Sequence, residues 1–235
     1  MGDLFQWSRL FQNFRIIIPF ITVTFRIVVY ATVFGLIIAL ALALVRIKKI
    51  PVLYQISNLY ISFMRGTPML LQLLLVYYGL PIILEPVVHI DVTRVWDSII
   101  FAYVTFSFNQ GAFLSSIIYS AVKAVSIGQF EAGYSVGLTW WQTFRRIIVP
   151  QAVRIALPPF GSDLVGLFQN ASLVFSIGVI DVMGRAKTIG TSSGHVFEAY
   201  LDVAVIFILC SLIIRGISSC CNKKLDYSAG KEVRE

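Results

Sequence analysis

Residues 128–150 read GQFEAGYSVGLTWWQTFRRIIVP, a polar and partly amphipathic interval set between two long apolar runs. Two helix starts can be read in it and just before it. Ser126 stands three residues ahead of Gln129, and Thr139 three ahead of Gln142. Each pair has the capping-box spacing, in which a hydroxyl and an amide satisfy free backbone N–H groups of a first helical turn. Gly137, between them, suits the left-handed residue that ends a helix. Pro150 restricts Val149 and is expected to close the second helix. The stretch predicts helix, glycine turn, helix, laid across the end of the structure that the flanking runs form.

Those runs predict a membrane bundle. Of 235 residues, 57% are hydrophobic and 13% charged, with a mean hydropathy of +0.82. A soluble core of this size has no use for so much apolar surface. The formal net charge of +7 fits cationic loops on one membrane face. No basic run with interleaved aromatics marks a nucleic-acid partner. Cys210, Cys220 and Cys221 lie in or after the last apolar run without CxxC or Cys/His spacing, and His89 and His195 stand alone in expected loops. No metal site and no catalytic set is therefore expected. The start, MGDLFQWSRL, lacks a secretory signal pattern, and Gln6 argues against myristoylation.

Taken in order, the chain predicts an all-α polytopic protein with five transmembrane helices, since each span needs about 20 apolar residues. Residues 1–26 read as an outer lead-in or an outward extension of the first helix, set off from it by Pro19 and Arg26. The first span runs 27–45 and is followed by Arg46, Lys48 and Lys49. The second lies within 51–81. Phe63-Met-Arg-Gly-Thr-Pro68 predicts a kink or a fresh helix start inside it. Arg65 there reads either as a substrate or partner contact or as an arginine snorkelling to the lipid surface. A polar connection is expected over 82–97. The third span, 98–119, carries Asn109, Gln110 and Ser116. Amides in hydrocarbon either line a pathway or tie helices together, and both readings stand. The fourth, 152–180, carries Asp163, Gln169, Asn170 and Ser172. Asp163 reads as a functional carboxylate or as a partner for backbone or Arg154. Residues 181–198 read as an exposed loop rich in glycine, serine and threonine. The last span is 200–217, the membrane domain closes at 220, and 221–235 read as a charged, disordered tail.

Charge orients this arrangement. Placing loop 126–150 inside puts Arg46, Lys48, Lys49, Lys123, Arg145, Arg146, Arg154 and Arg215 with it, together with Arg65 and the basic tail. Arg9, Arg15, Arg26, Arg94, Arg185 and Lys187 fall outside. The bias follows the positive-inside rule, with the N-terminus outside and the C-terminus cytoplasmic.

The loop also resembles the EAA motif of importer-type ABC transporter permeases, EAA-x3-G-x9-I-x-L-P. Glu131-Ala132-Gly133, Gly137 and Ile147-x-Val149-Pro150 fall at its spacing, with Gly133 for the second alanine and Val149 for leucine. Phe63–Pro68 resembles the F-R-G-T-P signature of the polar amino-acid branch, as do 151–160 and Ala171-Ser172-Leu173. Residues 176–185 look like this region in cystine-type permeases. The chain departs from that branch at Ser116 and Tyr119, where a glutamate and an arginine are usual. It departs again at Gln169 and Asn170, in place of lysine and aspartate.

The resemblance implies a type I importer permease fold in the bacterial inner membrane. It assigns Gln129, Glu131, Ala132, Gly133, Gly137, Ile147 and Pro150 to ATPase coupling. The substrate pathway would take Arg65, Asn109, Gln110, Ser116, Asp163, Gln169, Asn170 and Ser172. Implied partners are two ATP-binding subunits that carry ATP and Mg²⁺, a second permease copy or paralogue, an extracellular substrate-binding protein and an amino acid. The chain itself would hold no cofactor. The neutral replacements favour a zwitterion such as cystine or glutamine. The competing class is an ion-coupled secondary transporter that uses Asp163 and needs no ATPase.

Overall fold

The structure, a computed structural model, describes residues 5–89 and 92–232. Among these the chain is helical, with no strand. In order the elements are α1 (Trp7–Ile17), α2 (Ile21–Lys48), α3 (Leu53–Gly66), α4 (Met69–Val88), α5 (Val92–Val95), α6 (Ser98–Ala124), α7 (Gly128–Ser135), α8 (Trp140–Thr143), α9 (Val149–Asn170), α10 (Val182–Ser193) and α11 (Val196–Glu232). Among the described residues three helical stretches are long and apolar enough to cross a membrane: Trp7–Lys48, Met69–Val87 and Val196–Lys223. Two bent pairs, Ser98–Ala124 with Gly128–Ser135 and Trp140–Ile177 with Val182–Ser193, raise the number to five if each counts as one span.

The bundle centres on α2 against α6. Ala31, Gly35, Ala39 and Ala43 are buried on α2, one helical turn apart. Such a stripe lets two backbones approach, which is how helices pack in a solvent that offers no hydrophobic drive. A Cβ at Gly35 would sit 2.8 Å from Gln110 Cβ, and one at Gly111 would sit 2.7 Å from Ile38 Cγ2. The opposite faces of α2 and α11 stay apolar and exposed, including Val29, Val33, Ile37, Ile208 and Leu212, as a lipid-facing surface requires.

Several boundaries differ from the expected ones. Of the two readings of the lead-in, the outward extension of the first helix is the one that forms: α1 turns through a 3₁₀ segment at Ile18–Phe20 around Pro19 and enters α2. Arg26 lies on an exposed face of α2, where its charge does not oppose helix formation. The 82–97 connection is shorter, because α4 continues through Pro81 and Pro86 to Val88. Prolines in apolar helices are tolerated where local adjustment satisfies the freed carbonyls. Asp91 of that connection lies outside the described residues.

The expected loop 181–198 is largely α10. Asp181 Oδ1 accepts the Gly184 N–H at 2.9 Å as an N-cap, and Gly194, at φ +75°, ends the helix. Its glycines serve packing as much as turning: a Cβ at Gly190 would lie 2.9 Å from Val196 Cα. The tail likewise differs, since α11 runs on to Glu232. Arg234 lies outside the described residues.

Candidate functional site

Two places gather the residues singled out in the sequence. One is the 126–150 loop. The other is mid-bundle, at the break between α3 and α4 that precedes the Met69–Val87 span.

In the loop, Gly137 takes φ +81°. Its N–H donates to Tyr134 O at 2.9 Å while Leu138 N–H donates to Gly133 O at 3.0 Å. This pair of bonds is the Schellman closure that a left-handed glycine permits. The Thr139–Gln142 box forms: Thr139 N–H donates to Gln142 Oε1 at 2.9 Å and Gln142 N–H to Thr139 Oγ1 at 3.3 Å. The Ser126–Gln129 box does not. Ile127 is the N-cap of α7, with no side-chain cap, and Gln129 Oε1 instead accepts from Gln151 Nε2 at 3.1 Å. Competition from a partner on α9 removes the amide that the box requires.

Pro150 closes no helix. A π-helical turn, Phe144–Ile148, leads straight into α9, with Pro150 in its first turn. Proline has no N–H to lose there, and the wider turn gives its ring room against the preceding carbonyls. Helix and loop therefore form one continuous piece from Trp140 onward.

An apolar cluster fixes the loop to the bundle. Ala121 and Val125 from the end of α6 pack with Phe144, Ile148 and Ala152, against Ile47, Phe130 and Trp140. Trp140 stacks on Phe144 at 4.9 Å, and Lys48 lies over the Trp140 ring at 5.3 Å. Ile147 packs on the same cluster. Glu131 and Ala132 point the other way and are exposed, as are Ile127, Tyr134, Val136 and Trp141. The loop thus shows one acidic side chain within an exposed apolar patch.

Gly133, which departs from the family pattern, has a visible cause. It is buried against Thr143, and a Cβ there would lie 2.5 Å from Thr143 Cγ2. Tyr119 also departs, and the Arg46 guanidinium sits 4.2 Å from its ring centroid with the Lys123 ammonium at 6.0 Å. An arginine at 119 would face both cations.

Mid-bundle, Thr67 and Pro68 take extended backbone between α3 and α4. Proline biases its predecessor out of the helical region, and the break strands carbonyls at the end of α3. Gln72, buried, answers them: its Nε2 lies 2.8 Å from Met64 O, 2.7 Å from Thr67 Oγ1 and 3.1 Å from Thr67 O. Asn109 on α6 donates to Met64 O at 3.2 Å and to Gln72 Oε1 at 2.9 Å. Non-helical backbone at this depth is tolerated where it is buried in protein or lines a cavity. Nothing in the sequence reading singled out Gln72. The available signal was an amide four residues after the proline, one helical turn from the break.

Beside the break lies a cavity of about 100 Å³, lined by Asn109, Gln110, Asp163 and Asn170 together with Met69 and Phe113. Gln110 Nε2 donates to Asp163 Oδ2, joining α6 to α9. Arg65 stacks at 5.4 Å over Phe113, at the cavity wall. The remaining residues expected in the pathway lie elsewhere. Ser116 bonds its own helix at Ala112 O, 3.1 Å. Ser172 bonds Gln169 O at 2.8 Å. Gln169 borders a separate groove with Phe207, Ser211 and Arg215.

The sequence reading also passed over three fully buried carboxylates, Asp181, Glu198 and Asp202. Glu198 Oε1 accepts Gln6 N–H at 3.0 Å and the His195 Nδ1–H at 2.8 Å, so His195 is not isolated. The signal for this pair was the three-residue spacing at the start of an apolar run.

Residues 31–226 match the family described as binding-protein-dependent transport system inner membrane component. The chain belongs to this family. As a member of it, the chain is a multi-pass membrane transport component, and the ion-coupled secondary transporter reading falls away. It is 37% identical over 206 residues, 88% of the chain and 85% of the relative, to the L-cystine transport system permease protein TcyL of Bacillus subtilis (strain 168). It is 31% identical to the L-cystine transport system permease protein TcyB of the same organism, over 98% of the chain and 96% of that protein. Its fold is similar to a crystal structure of an amino acid ABC transporter with histidines, with a TM-score of 0.76 at 27% identity, covering 95% of this chain and 99% of that one.

Proposed function

We propose that this chain is the membrane-spanning subunit of an ATP-driven amino-acid importer, and that the 126–150 loop is where a separate ATPase drives it. The observation that carries this reading is the two-sided loop. Glu131 and its apolar neighbours are exposed, while the other face is packed into the bundle through Phe144 and Ile148. An exposed apolar patch that holds one carboxylate and is flanked by the exposed Arg145 and Arg146 has the composition of an interaction surface. Gln129, Glu131, Ala132, Gly133, Gly137, Ile147 and Pro150 then act as one rigid docking unit, with Glu131 and Ala132 in contact with the partner and the rest shaping the turn.

The loop and the C-terminus face the cytoplasm of a bacterial inner membrane and the N-terminus faces outward, in keeping with the lysine and arginine bias. Two ATP-binding subunits carry ATP and Mg²⁺, a second permease copy or paralogue completes the pathway, and an extracellular binding protein delivers substrate. The substrate is a zwitterionic amino acid of the cystine type. The cystine names of the relatives support this, as does a cavity that sets one carboxylate, Asp163, among neutral amides. At about 100 Å³ the cavity is below the size of a ligand site. Passage of such a substrate past this cavity therefore requires the helices that wall it, α4, α6 and α9, to part.

Co-expression with the ATPase tests the reading. Glu131→Lys is expected to abolish co-purification of the ATPase while the variant still inserts in the membrane at wild-type level. Normal co-purification of that variant would remove the loop from the coupling role.

A further inference from the structure

The bundle carries a second cavity, at the end opposite the loop. Helix α6 has 27 residues, so its start lies roughly 40 Å from the loop end at 1.5 Å per residue. At that start is a cavity of about 450 Å³, lined by Tyr77, Tyr78, Glu85, Trp96 and Phe101 among others. This is a size that holds small ligands. Four of the walls are aromatic rings in a chain of contacts. Tyr78 meets Tyr77 edge-on at 5.0 Å and 81°, Tyr77 meets Phe101 at 5.3 Å and 76°, and Trp96 meets Phe101 at 5.5 Å and 58°. Phe101 is buried and anchors the set; Tyr78 is exposed, Trp96 partly so. The rings stand across one another, so aromatic surface and one carboxylate line the same space. A ring face is the negative part of its quadrupole. Glu85 is exposed on the same wall, and among the described residues no cation pairs with it.

Aromatic faces plus one carboxylate select a positive, weakly hydrated, polyatomic ion. We propose that this box binds an organic ammonium group, primary or quaternary, held over the rings with Glu85 as counter-charge. An anion would face both the ring quadrupoles and the carboxylate. A bare alkali ion would lose more hydration than the rings return. Phe101 precedes Asn109 by eight residues on α6, about 12 Å along the helix, so the box and the Asp163 cavity are walled by the same helix. For a soluble amino acid, which rests on the proposed importer function, the box is a stop on the way in. A lipid ethanolamine headgroup offers the same chemistry from the membrane side.

The full-length chain, labelled with 5-fluorotryptophan and placed in nanodiscs of phosphatidylglycerol, gives one ¹⁹F resonance per tryptophan. Trp96→Phe identifies the resonance at issue. Titration with tetramethylammonium chloride and methylammonium chloride is expected to shift it saturably. Sodium chloride at matched ionic strength, and sodium acetate, are expected to leave it in place. Tyr78→Leu, which keeps bulk and removes the ring face, should weaken binding by about twofold to fivefold. Glu85→Gln should weaken it by a similar factor, as an exposed charge does. Phosphatidylethanolamine in the disc distinguishes the sources. A shifted resonance that no longer responds to soluble ammonium makes the headgroup the occupant. An unshifted resonance that still titrates makes it a soluble amine. An unmoved Trp96 resonance with every ammonium and in both lipids overturns the proposal. The readout needs no ATPase and no transport, so its failure is distinct from failure of the importer reading.

Discussion

Replacing Gly133 with alanine places a carbon 2.5 Å from Thr143 Cγ2 and 2.6 Å from Thr143 Oγ1, with Thr143 Cβ at 3.1 Å. The first two separations are far inside van der Waals contact, so one helix of the loop must shift. Thr143 is fully buried and β-branched, so its χ1 has little freedom to turn the methyl away. Overpacking of this kind costs about 1–3 kcal/mol, and the loop's tight Gly137 closure leaves little slack to absorb it. Thr143→Ala removes both clashing atoms. The Thr143 hydroxyl has no hydrogen-bond partner, so its removal forfeits no bond and costs mainly the lost methyl packing, about 1 kcal/mol. In the double variant the remaining Cβ contact at 3.1 Å needs only a few tenths of an ångström of movement.

The expected result is therefore non-additive. Gly133→Ala lowers stability by about 1–3 kcal/mol, Thr143→Ala by about 1 kcal/mol, and the pair together by less than their sum. The coupling energy is about 1–2 kcal/mol. Denaturation of the purified permease in mixed micelles measures stability, and ATPase co-purification measures whether the loop keeps its docking shape. The double variant restores the alanine of the family motif and is expected to retain the ATPase. Strict additivity of the two changes would refute the claim that Thr143 is the reason for glycine at 133.

Two further outcomes follow from the bundle. Gln72→Leu leaves buried acceptors at Met64 and Thr67 unanswered and removes a partner of Asn109, and is expected to destabilise by about 2–4 kcal/mol, between the membrane and soluble scales for such bonds. A change below about 0.5 kcal/mol in the same denaturation assay would mean that the break is satisfied otherwise. Gly35→Leu drives a side chain into Gln110 and α6, and is expected to abolish recovery of folded permease from the membrane. Wild-type yield and thermal stability would refute the close α2–α6 crossing.

How legible this was depended on the range of the interaction involved. The turn at Gly137, the Thr139 box and the break at Thr67-Pro68 were legible because each is decided within a few residues. Ser126 failed as a cap because Gln151, far along the chain, takes the Gln129 amide, and no local pattern reports that competition. Pro150 was misread because a proline need not stop a helix where the preceding turn can widen, as the π-helical turn Phe144–Ile148 does here with Phe144 and Ile148 packed into the bundle. The polar segment 181–198 looked like a loop because its glycines were read as turn-formers, whereas Gly190 is glycine so that Val196 can approach. For the candidate site, the residue types were legible but their grouping was not. Four of the eight residues assigned to the pathway share one cavity, since helix rotation about α2 settles which amides face inward. Gln72, an unremarkable amide in an apolar run, is the hub of the break.

These placements bear on how motion at the loop reaches the cavity. Gln110 belongs to α6 and Asp163 to α9, and the same two helices are locked together at the loop by Ala121, Val125, Phe144, Ile148 and Ala152. Two helices packed together at one end are constrained to move there together, so under the proposed coupling role a shift of the loop would be carried along both toward the Gln110–Asp163 contact. Helix α4 contributes nothing to that clamp. It meets the cavity through Met69 and bonds Asn109 through Gln72, next to the extended backbone at Thr67 and Pro68. If α6 and α9 rotate as a pair, the yielding part is the α3–α4 break, where only side-chain amides hold the carbonyls. Amide bonds to a broken backbone can exchange partners without unfolding a helix. The α3–α4 break is thus a place where the fold can change shape without unfolding a helix.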